Sequence, residues 1–353
     1  MRFGARGLGE AVTGKVGVFS SGLWRLRAKV AALTGRQPER RWFSARDLAA
    51  VAGWGHKPTA RRARASARAA GLPYLAIEDG FFRSITPGET ETSVSHVCDA
   101  EGVYYDARGP SALERLVAAR AADPAAAGIA AAPALDAMRR LKLSKYNLFD
   151  AGPEALAPLE RARGGVALVV DQTFGDAAVE GAGADAATFR AMLVAAAEEN
   201  PVATIVLRTH PETRSGRRSG FFGSAAIAAA AAASPALAEA RAQGRLIALD
   251  AAVAPMDLFA CVARVYVVSS QMGFEALVAE RPVVCFGRAF YAGWGLTDDR
   301  APPTGRRMAA PLAALAAAAF VDYARYFDPE TGAPCGMIHA LERLADRRDR
   351  HFR

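Results

Sequence analysis

The sequence predicts an α/β protein built from two Rossmann-like lobes with a cleft between them. Its 353 residues are enough for about two domains. In the second half, short Val- and Ile-rich runs alternate with helical segments, which is typical of a parallel sheet covered by helices on both faces. A content of 52% hydrophobic and 23% charged residues is typical of a globular core.

Three segments are predicted along the chain. Residues 1–155 form an N-terminal Rossmann-like lobe, residues 156–310 form a C-terminal doubly wound lobe, and residues 311–353 form helices that pack back on both. The stretch from Gly152 to Gly165 contains the boundary between the lobes. An Ala- and Pro-rich stretch, residues 121–133, is either a linker or a helix boundary.

In the first half, strands are predicted at residues 16–20, 48–52, 74–78 and 103–106. Arg-rich helices lie between them, one of which carries Arg61, Arg62, Arg64 and Arg68. A polar loop follows at residues 83–95. Ser111, with Glu114 three residues later, predicts a capping box at the start of a further helix, and another helix is predicted at residues 135–143.

Strands of the second half are predicted at residues 166–170, 204–207, 246–249, 265–268 and 283–286. In doubly wound sheets, ligands bind beyond the carboxyl ends of the strands, so the residues that follow each strand are candidates for a site. Three of these segments are polar. They are residues 171–176 (DQTFGD), 208–211 (RTHP) and 269–273 (SSQMG).

The net charge of +8 favours anionic partners: a nucleic acid, an acidic membrane surface, or a phosphorylated or carboxylated substrate. Nucleic-acid binding is not expected, because the arginines occur in no RNP, zinc-finger or basic-zipper context. The four cysteines contain no CxxC pair and are expected to be reduced thiols. With no signal peptide or membrane span recognisable, we expect a cytoplasmic protein.

Several of the polar residues allow two interpretations. Ser269 and Ser270 precede a helix, where backbone N–H groups can bind a phosphate, although helix capping is the more common role of such serines. His210 is either structural or catalytic. Asp176 follows the flexible Gly175 and is a better candidate for a reacting group than Asp171, which could equally cap a turn.

A second carboxylate pair, Glu78 and Asp79, ends a first-half strand. Adjacent carboxylates repel each other, so in a dry site at least one has a raised pKa, as general acid or base catalysis requires. The alternative is a solvated turn. No GxGxxG, Walker or HExxH motif is present, and no metal site is predicted.

Seven blocks of the sequence, in order, closely resemble the KpsC-type β-Kdo transferases of bacterial capsule biosynthesis. The blocks are residues 78–84 (EDGFFRS), 102–108 (GVYYDAR), 143–147 (LSKYN), 171–176 (DQTFGD), 209–211 (THP), 269–277 (SSQMGFEAL) and 290–297 (FYAGWGLT). The resemblance extends over about residues 54–299. The chain is most similar to the first module of the tandem enzymes.

This resemblance implies a GT-B-like glycosyltransferase with an acceptor-side first lobe and a second lobe that binds the CMP-sugar. Such an enzyme transfers Kdo, an acid sugar, from CMP-Kdo to a Kdo-terminated, phosphatidylglycerol-linked glycolipid and retains the β configuration. By similarity, Asp176 is the nucleophile of a double displacement, Glu78 or Asp79 deprotonates the acceptor, and His210 stabilises the departing phosphate. The expected donor-binding residues are Ser269, Ser270, Gln271, Gln172, Thr173, Arg83 and Lys145.

No metal and no cofactor are expected, since CMP-Kdo is itself a substrate. The expected partners are CMP-Kdo, the acidic glycolipid, the inner face of the cytoplasmic membrane and other capsule biosynthesis or export proteins. Two other functions stay open: a transferase for another CMP-activated acid sugar, and a non-catalytic capsule assembly or export factor.

Overall fold

The fold is taken from a computed structural model of the chain. It describes residues 14–88, 91, 93–162 and 164–352. The N-terminal residues in which a signal peptide was sought lie outside this description. Among the described residues, no helix is both long enough and apolar enough to cross a membrane.

The strands belong to two sheets. They are β1 Lys15–Val18, β2 Gln37–Arg40, β3 Ala50–Trp54, β4 Tyr74–Asp79, β5 Ser95–Asp99, β6 Val166–Val170, β7 Thr204–Arg208, β8 Leu246–Leu249, β9 Arg264–Val267, β10 Val283–Cys285, β11 Asp298–Asp299, β12 Ala324–Phe327 and β13 Pro334–Cys335. Residues 317–323 form a π-helix, and 3-10 helices occur at Pro58–Ala60 and Pro153–Leu156.

The α-helices cover the sheets. They are α1 Ser21–Arg25, α2 Arg27–Thr34, α3 Arg61–Ala70, α4 Ala112–Ala121, α5 Pro124–Arg140, α6 Ala157–Glu160, α7 Ala177–Gly181, α8 Ala186–Glu199, α9 Pro211–Arg214, α10 Ser224–Ala233, α11 Pro235–Ala242, α12 Pro255–Ala260, α13 Gln271–Val278, α14 Leu312–Ala316 and α15 Met337–His351.

The second sheet is parallel throughout, in the strand order β11-β10-β9-β6-β7-β8. Its first strand in the chain, β6, therefore lies in the middle, and all five residues of β6 are buried. This order is the doubly wound arrangement of a Rossmann sheet, with the reversal of strand order between β6 and β9. The doubly wound architecture predicted for this part of the chain is confirmed.

The first sheet has the order β13-β12-β5-β4-β3-β1-β2. Strands β1 to β4 are parallel, so their carboxyl ends lie at one edge, whereas β5, β12 and β13 each pair antiparallel with a neighbour. The expectation of helices alone for residues 311–353 was wrong, because β12 and β13 extend this sheet. Strands of four and two residues are too short to show a periodic pattern in the sequence.

An aromatic cluster lies where the two lobes meet. Phe81, just after β4, packs against Phe290 of the second lobe with ring centroids 5.0 Å apart, and against Phe320 of the π-helix at 5.6 Å. Phe274 of α13 lies 5.4 Å from Phe320. The carboxyl end of β4 is thus fixed relative to α13, which begins at the carboxyl end of β9.

Two predictions for the first half need correction. The predicted strand at residues 103–106 is a turn, stabilised by the bond from the Asp106 N–H to the Val103 carbonyl. Ser111 does precede α4, but its side chain makes no capping bond, and Glu114 instead pairs with Arg306 and Arg307. The stretch 121–133 is the boundary between α4 and α5 and continues into α5.

Candidate active site

Two predicted loops lie on either side of the reversal point of the second sheet. Gln172 follows β6, Ser269 follows β9, and their side chains are hydrogen bonded to each other. Gln172 Nε2 donates to Ser269 Oγ at 3.0 Å, and the backbone N–H of Ser269 donates to Gln172 Oε1 at 2.9 Å. These bonds hold both loops at the crevice where doubly wound sheets bind ligands.

Ser270 and Thr173 have structural contacts beside this crevice. Ser270 Oγ accepts the N–H of Met272 at 3.3 Å, which is the capping role that the sequence left open. The Ser270 carbonyl accepts the hydroxyl of the buried Tyr291 at 2.6 Å. Thr173 is buried and pairs with Gly220 in an isolated antiparallel bridge. Through these contacts both residues shape the crevice.

Asp176 is the N-cap of α7. Its Oδ1 accepts the N–H of Ala178 at 2.9 Å, and no described residue forms a hydrogen bond with its Oδ2. Gly175 has a φ of +72°, which lets the chain turn into the helix. Asp171, in contrast, is buried and accepts the N–H groups of Gln172 and Phe221, so it anchors a turn.

His210 lies at the end of β7. Its Nδ1 accepts the N–H of Glu212 at 3.1 Å, so the neutral ring carries its proton on Nε2. Burial lowers the pKa of His210 to about 4; the Lys145 ammonium adds to this effect and the Asp176 carboxylate opposes it. At neutral pH the ring is uncharged, and its Nε2–H is a hydrogen-bond donor.

Asp79 and Glu78 are neighbours in β4 with different surroundings. Asp79 Oδ2 accepts the Nε of Arg83 at 2.7 Å, and its Oδ1 lies 3.8 Å from His96 Nδ1. Burial alone would raise the pKa of Asp79, but Arg83 and the other nearby cations hold it below its usual range. Asp79 is therefore ionised at neutral pH.

Glu78 is the more deeply buried carboxyl of the two. Its Oε1 accepts the Lys57 ammonium at 3.0 Å and the N–H of Asp79 at 3.1 Å, whereas its buried Oε2 has no hydrogen-bond partner among the described residues. Burial raises the pKa of Glu78, aided by the charge of Asp79 and opposed by Lys57. The sequence could not tell which of the two carboxyls has the raised pKa. In the structure each carboxyl has its own cation, Arg83 for Asp79 and Lys57 for Glu78, and the two pKa values shift in opposite directions.

Lys145 joins the two halves of the site. Its backbone carbonyl accepts the N–H of Arg83 at 3.1 Å, which ties it to the loop after β4. Burial lowers the pKa of the ammonium, yet the net pKa is raised, because Coulombic interactions with four acidic groups outweigh the effect of burial. These groups are Tyr146, Tyr104, Asp176 and Asp79. Since Asp176 belongs to the second lobe and Asp79 to the first, carboxylates of both lobes act on this one ammonium.

Tyr146, which was not among the predicted site residues, contacts three of them. The centroid of its ring lies 5.6 Å from the Arg83 guanidinium and 5.8 Å from the Lys145 ammonium. The His210 ring stands edge-on to it at 6.4 Å. Its position between Lys145 and Asn147 in the LSKYN block was the signal that could have identified it.

A buried carboxyl in α13, Glu275, was also missed. It accepts the hydroxyl of Ser144 at 2.8 Å and the amide of Gln271 at 3.1 Å, so it ties α13 to the residue that precedes Lys145. Burial raises its pKa to about 7. A single acid within the apolar run FEALV was the available sequence signal.

Two predicted donor-binding side chains are occupied by protein groups. Gln271 Nε2 donates to the Phe81 carbonyl at 2.7 Å and so links the lobes. Arg83 donates to Asp79, to Ser84 Oγ at 2.9 Å and to the Gly88 carbonyl at 2.5 Å. The structure therefore brings together Asp176, His210, Lys145 and Asp79, whereas a role of Gln271 or Arg83 in donor binding stays a prediction.

No cluster of three or more His, Cys, Asp or Glu side chains suited to a metal ion occurs in the described parts of the chain. The four cysteines are free thiols there.

Comparison with known proteins identifies relatives over most of the chain. The Neisseria meningitidis capsule polysaccharide modification protein LipA (serogroup A) is 38% identical over 303 residues, which cover 84% of this chain and 41% of LipA. The Rhizobium meliloti lipopolysaccharide-processing protein LpsZ is 32% identical over 288 residues, or 81% of this chain and 61% of LpsZ. The chain thus spans only part of these relatives.

Solved structures of Thermosulfurimonas dismutans KpsC are similar as well. The structure described as its beta Kdo 2,4 transferase matches with a TM-score of 0.80 and 37% identity, covering 94% of this chain and 98% of that one. The beta Kdo 2,7 transferase matches with a TM-score of 0.64 and 23% identity, which shows the shared fold. A family model described as "Capsule polysaccharide biosynthesis protein" matches residues 49–147 and 134–326. The chain therefore belongs to the capsule polysaccharide biosynthesis protein family and is of the KpsC type that its sequence blocks predicted.

Proposed function

We propose that this protein is a retaining glycosyltransferase that moves Kdo from CMP-Kdo to a Kdo-terminated glycolipid during capsule synthesis. The observation that carries the proposal is the cluster where the lobes meet: the Tyr146 ring of the first lobe lies 5.8 Å from the Lys145 ammonium and edge-on to His210 of the second lobe at 6.4 Å. The charges of Asp176 and Asp79, one from each lobe, both raise the pKa of Lys145. The likeness to a beta Kdo 2,4 transferase over 94% of the chain supports the choice of sugar.

The donor carries a phosphodiester and a carboxylate, and the cluster supplies groups for both. Lys145 provides a positive charge, and the neutral His210 provides an Nε2–H donor. The loops of Gln172 and Ser269 lie at the edge of the sheet where a nucleotide binds in this class of fold. We assign the cytidine phosphate to this crevice.

In the first step, Asp176 Oδ2 attacks the anomeric carbon of Kdo. The bond from that carbon to the phosphate oxygen breaks, its electron pair leaves with CMP, and a glycosyl ester with Asp176 forms. The capping bond to Ala178 holds Oδ1, so the other oxygen is oriented for attack. A hydrogen bond from His210 Nε2 to the phosphate stabilises the charge that develops on the leaving group.

In the second step, the acceptor hydroxyl attacks the same carbon and the ester bond to Asp176 breaks. The hydroxyl proton passes to Asp79. We choose Asp79 rather than Glu78 because the Asp79 side chain is more exposed, 15% against 6%, and is ionised, whereas the free oxygen of Glu78 is buried and the pKa of Glu78 is raised. Two inversions at one carbon retain the donor's configuration.

We further propose that the hydroxyl at position 4 of the acceptor Kdo is the one that reacts. The basis is the 37% identity and TM-score of 0.80 to the beta Kdo 2,4 transferase. The beta Kdo 2,7 transferase shares the fold at 23% identity, so it gives no support for the other linkage.

The deciding experiment is product analysis with CMP-Kdo and a soluble acceptor that bears one Kdo. We expect CMP release, an acceptor extended by one Kdo in mass, and a β-2,4 linkage by NMR. CMP-activated sialic acid, offered in parallel, is expected to give no product. Failure to extend the acceptor while the donor is bound, or transfer of sialic acid instead, would contradict the proposal.

A further inference from the structure

A basic and aromatic surface stands out on the first lobe, away from the cluster around Lys145. Trp42 and Phe43, in the loop after β2, are 54% and 88% exposed. Such exposure is unusual for large aromatic side chains of a globular protein. Exposed arginines at the end of β2, in the same loop and at the start of α3 lie near them in the fold. We call the set Arg40, Trp42, Phe43, Arg46, Arg61 and Arg62 the basic aromatic surface.

The charges of this surface are not neutralised. Between residues 40 and 70 the sequence has eight Lys or Arg residues and a single acid, Asp47. Among the described residues, Arg40, Arg46, Arg61 and Arg62 form no ion pair. Exposed arginines elsewhere do, for example Arg115 with Glu101 at 2.8 Å and Arg350 with Glu330 at 2.6 Å.

The loop after β2 and α3 form one continuous surface. The Arg62 guanidinium lies 4.9 Å from the centroid of the Phe43 ring, and that of Arg40 lies 4.4 Å from the Trp42 ring. Beneath them, Ala45 and Leu48 of the loop share a buried cluster with Ala63 and Ala67 of α3. A packed base therefore presents the two aromatic rings and the cations together.

The surface shares an edge of the sheet with the candidate active site. Strands β1 to β4 are parallel, so the loop after β2, the start of α3 after β3, and Asp79 at the end of β4 all lie at the same edge. A hydrogen bond from Arg64 of α3 to the His56 carbonyl, at 3.4 Å, connects α3 to the segment that holds Lys57 against Glu78.

We propose that the basic aromatic surface docks this protein on an anionic lipid bilayer. Unpaired arginines are attracted to anionic headgroups, and Trp and Phe side chains partition into the interfacial layer of a membrane. A surface that bound nucleic acid would also use the cations, but a guanidinium already lies over each ring, which limits the stacking of bases. Docking here would turn the edge with Asp79 towards the lipid.

Vesicle flotation of the full chain tests the charges. We expect binding to vesicles that contain phosphatidylglycerol, none to phosphatidylcholine alone, and weakening by salt. Loss of each arginine should lower the partition coefficient about fivefold, so R61Q/R62Q should lose about 25-fold. The matched control is R115Q/R140Q, because both residues are exposed and ion-paired. Equal binding to both lipids, or an unchanged R61Q/R62Q, would overturn the proposal.

The aromatic side chains are tested with W42A/F43A. We expect at least a tenfold loss of binding, whereas I129A/M308A, which removes two other exposed apolar side chains, should bind normally. Trp42 fluorescence should shift to the blue on vesicles. If W42A/F43A keeps full vesicle binding, or if single-stranded DNA binds more tightly than the vesicles, the surface does not serve a membrane.

Membrane docking is independent of the proposed chemistry. W42A/F43A should release CMP with a soluble acceptor at the rate of the unchanged protein, since neither ring lies in the cluster around Lys145. A loss of vesicle binding with retained transfer would thus support docking, and a failure of either activity would not imply failure of the other.

Discussion

The two halves of the candidate site are built differently. In the first lobe, polar and charged side chains contact mainly one another: Arg83 is 8% exposed and donates to Asp79, and His96 is 1% exposed between Asp79 and Lys29. In the second lobe, Asp176 and His210 are each held by one side-chain hydrogen bond to a nearby backbone N–H.

This difference indicates a division of labour. Side chains that are saturated by protein partners are fixed in position, and their removal leaves buried charges without partners. Side chains held at one atom keep another atom for a ligand. Changes in the first lobe should therefore reduce stability as well as activity, whereas changes in the second lobe should reduce activity with little effect on the fold.

The largest expected effect is that of Asp176→Asn. An amide oxygen can still accept the Ala178 N–H, so the cap and the fold should persist, but an amide cannot act as the nucleophile. We expect at least a 10³-fold loss of transfer, on the scale of a removed nucleophile, with CMP binding retained. Asp185→Asn is the matched control, because Asp185 caps α8 in the same way. Equal losses in both variants would remove Asp176 from the mechanism.

Arg83→Gln, unlike Asp176→Asn, should clearly reduce the stability of the fold. It leaves Asp79 buried without its guanidinium, and breaking a pair of this kind costs about 3 kcal/mol or more. Chemical denaturation should detect this loss of unfolding free energy. Arg115→Gln removes a largely exposed pair and should cost less than about 1 kcal/mol. A stable Arg83→Gln protein that has lost only donor affinity would show that Arg83 serves the ligand, as the sequence suggested.

The sequence predicted the second lobe better than the first. Buried strands such as β6 give continuous apolar runs, and the residues after them were correctly placed at one edge. In the first lobe, β5 (SHVCD) mixes polar and apolar residues because its side chains, His96 among them, bond within the buried network. Glu275 and Tyr146 were missed because their roles depend on contacts between lobes, which no local pattern records.

The unfolding free energy should also depend on pH, through His96 in the first-lobe half of the candidate site. Burial lowers the pKa of His96 to about 4, against 6.5 for an ordinary histidine. Between these two pKa values the histidine binds a proton more readily in the unfolded chain than in the folded protein, so the unfolding free energy falls as the pH falls. From pH 7 to pH 5 this histidine should lower the unfolding free energy by about 2 kcal/mol. His96→Gln should lower stability at both pH values but remove about that much of the pH dependence, measured by urea unfolding. An unchanged pH dependence would contradict the neutral, buried state of His96.

The smallest expected effect comes from Ser270→Ala, which tests whether a capping side chain also serves a ligand. Removing its bond to the Met272 N–H should cost about 1 kcal/mol of unfolding free energy. Ser20→Ala is the matched control, since Ser20 Oγ accepts the Leu23 N–H at the start of α1 and should cost a similar amount. If the second-lobe half binds the donor, only Ser270→Ala will also weaken CMP binding in calorimetry. If both variants bind CMP equally well, Ser270 acts as a helix cap alone, and phosphate binding falls to His210, Lys145 and Ser269.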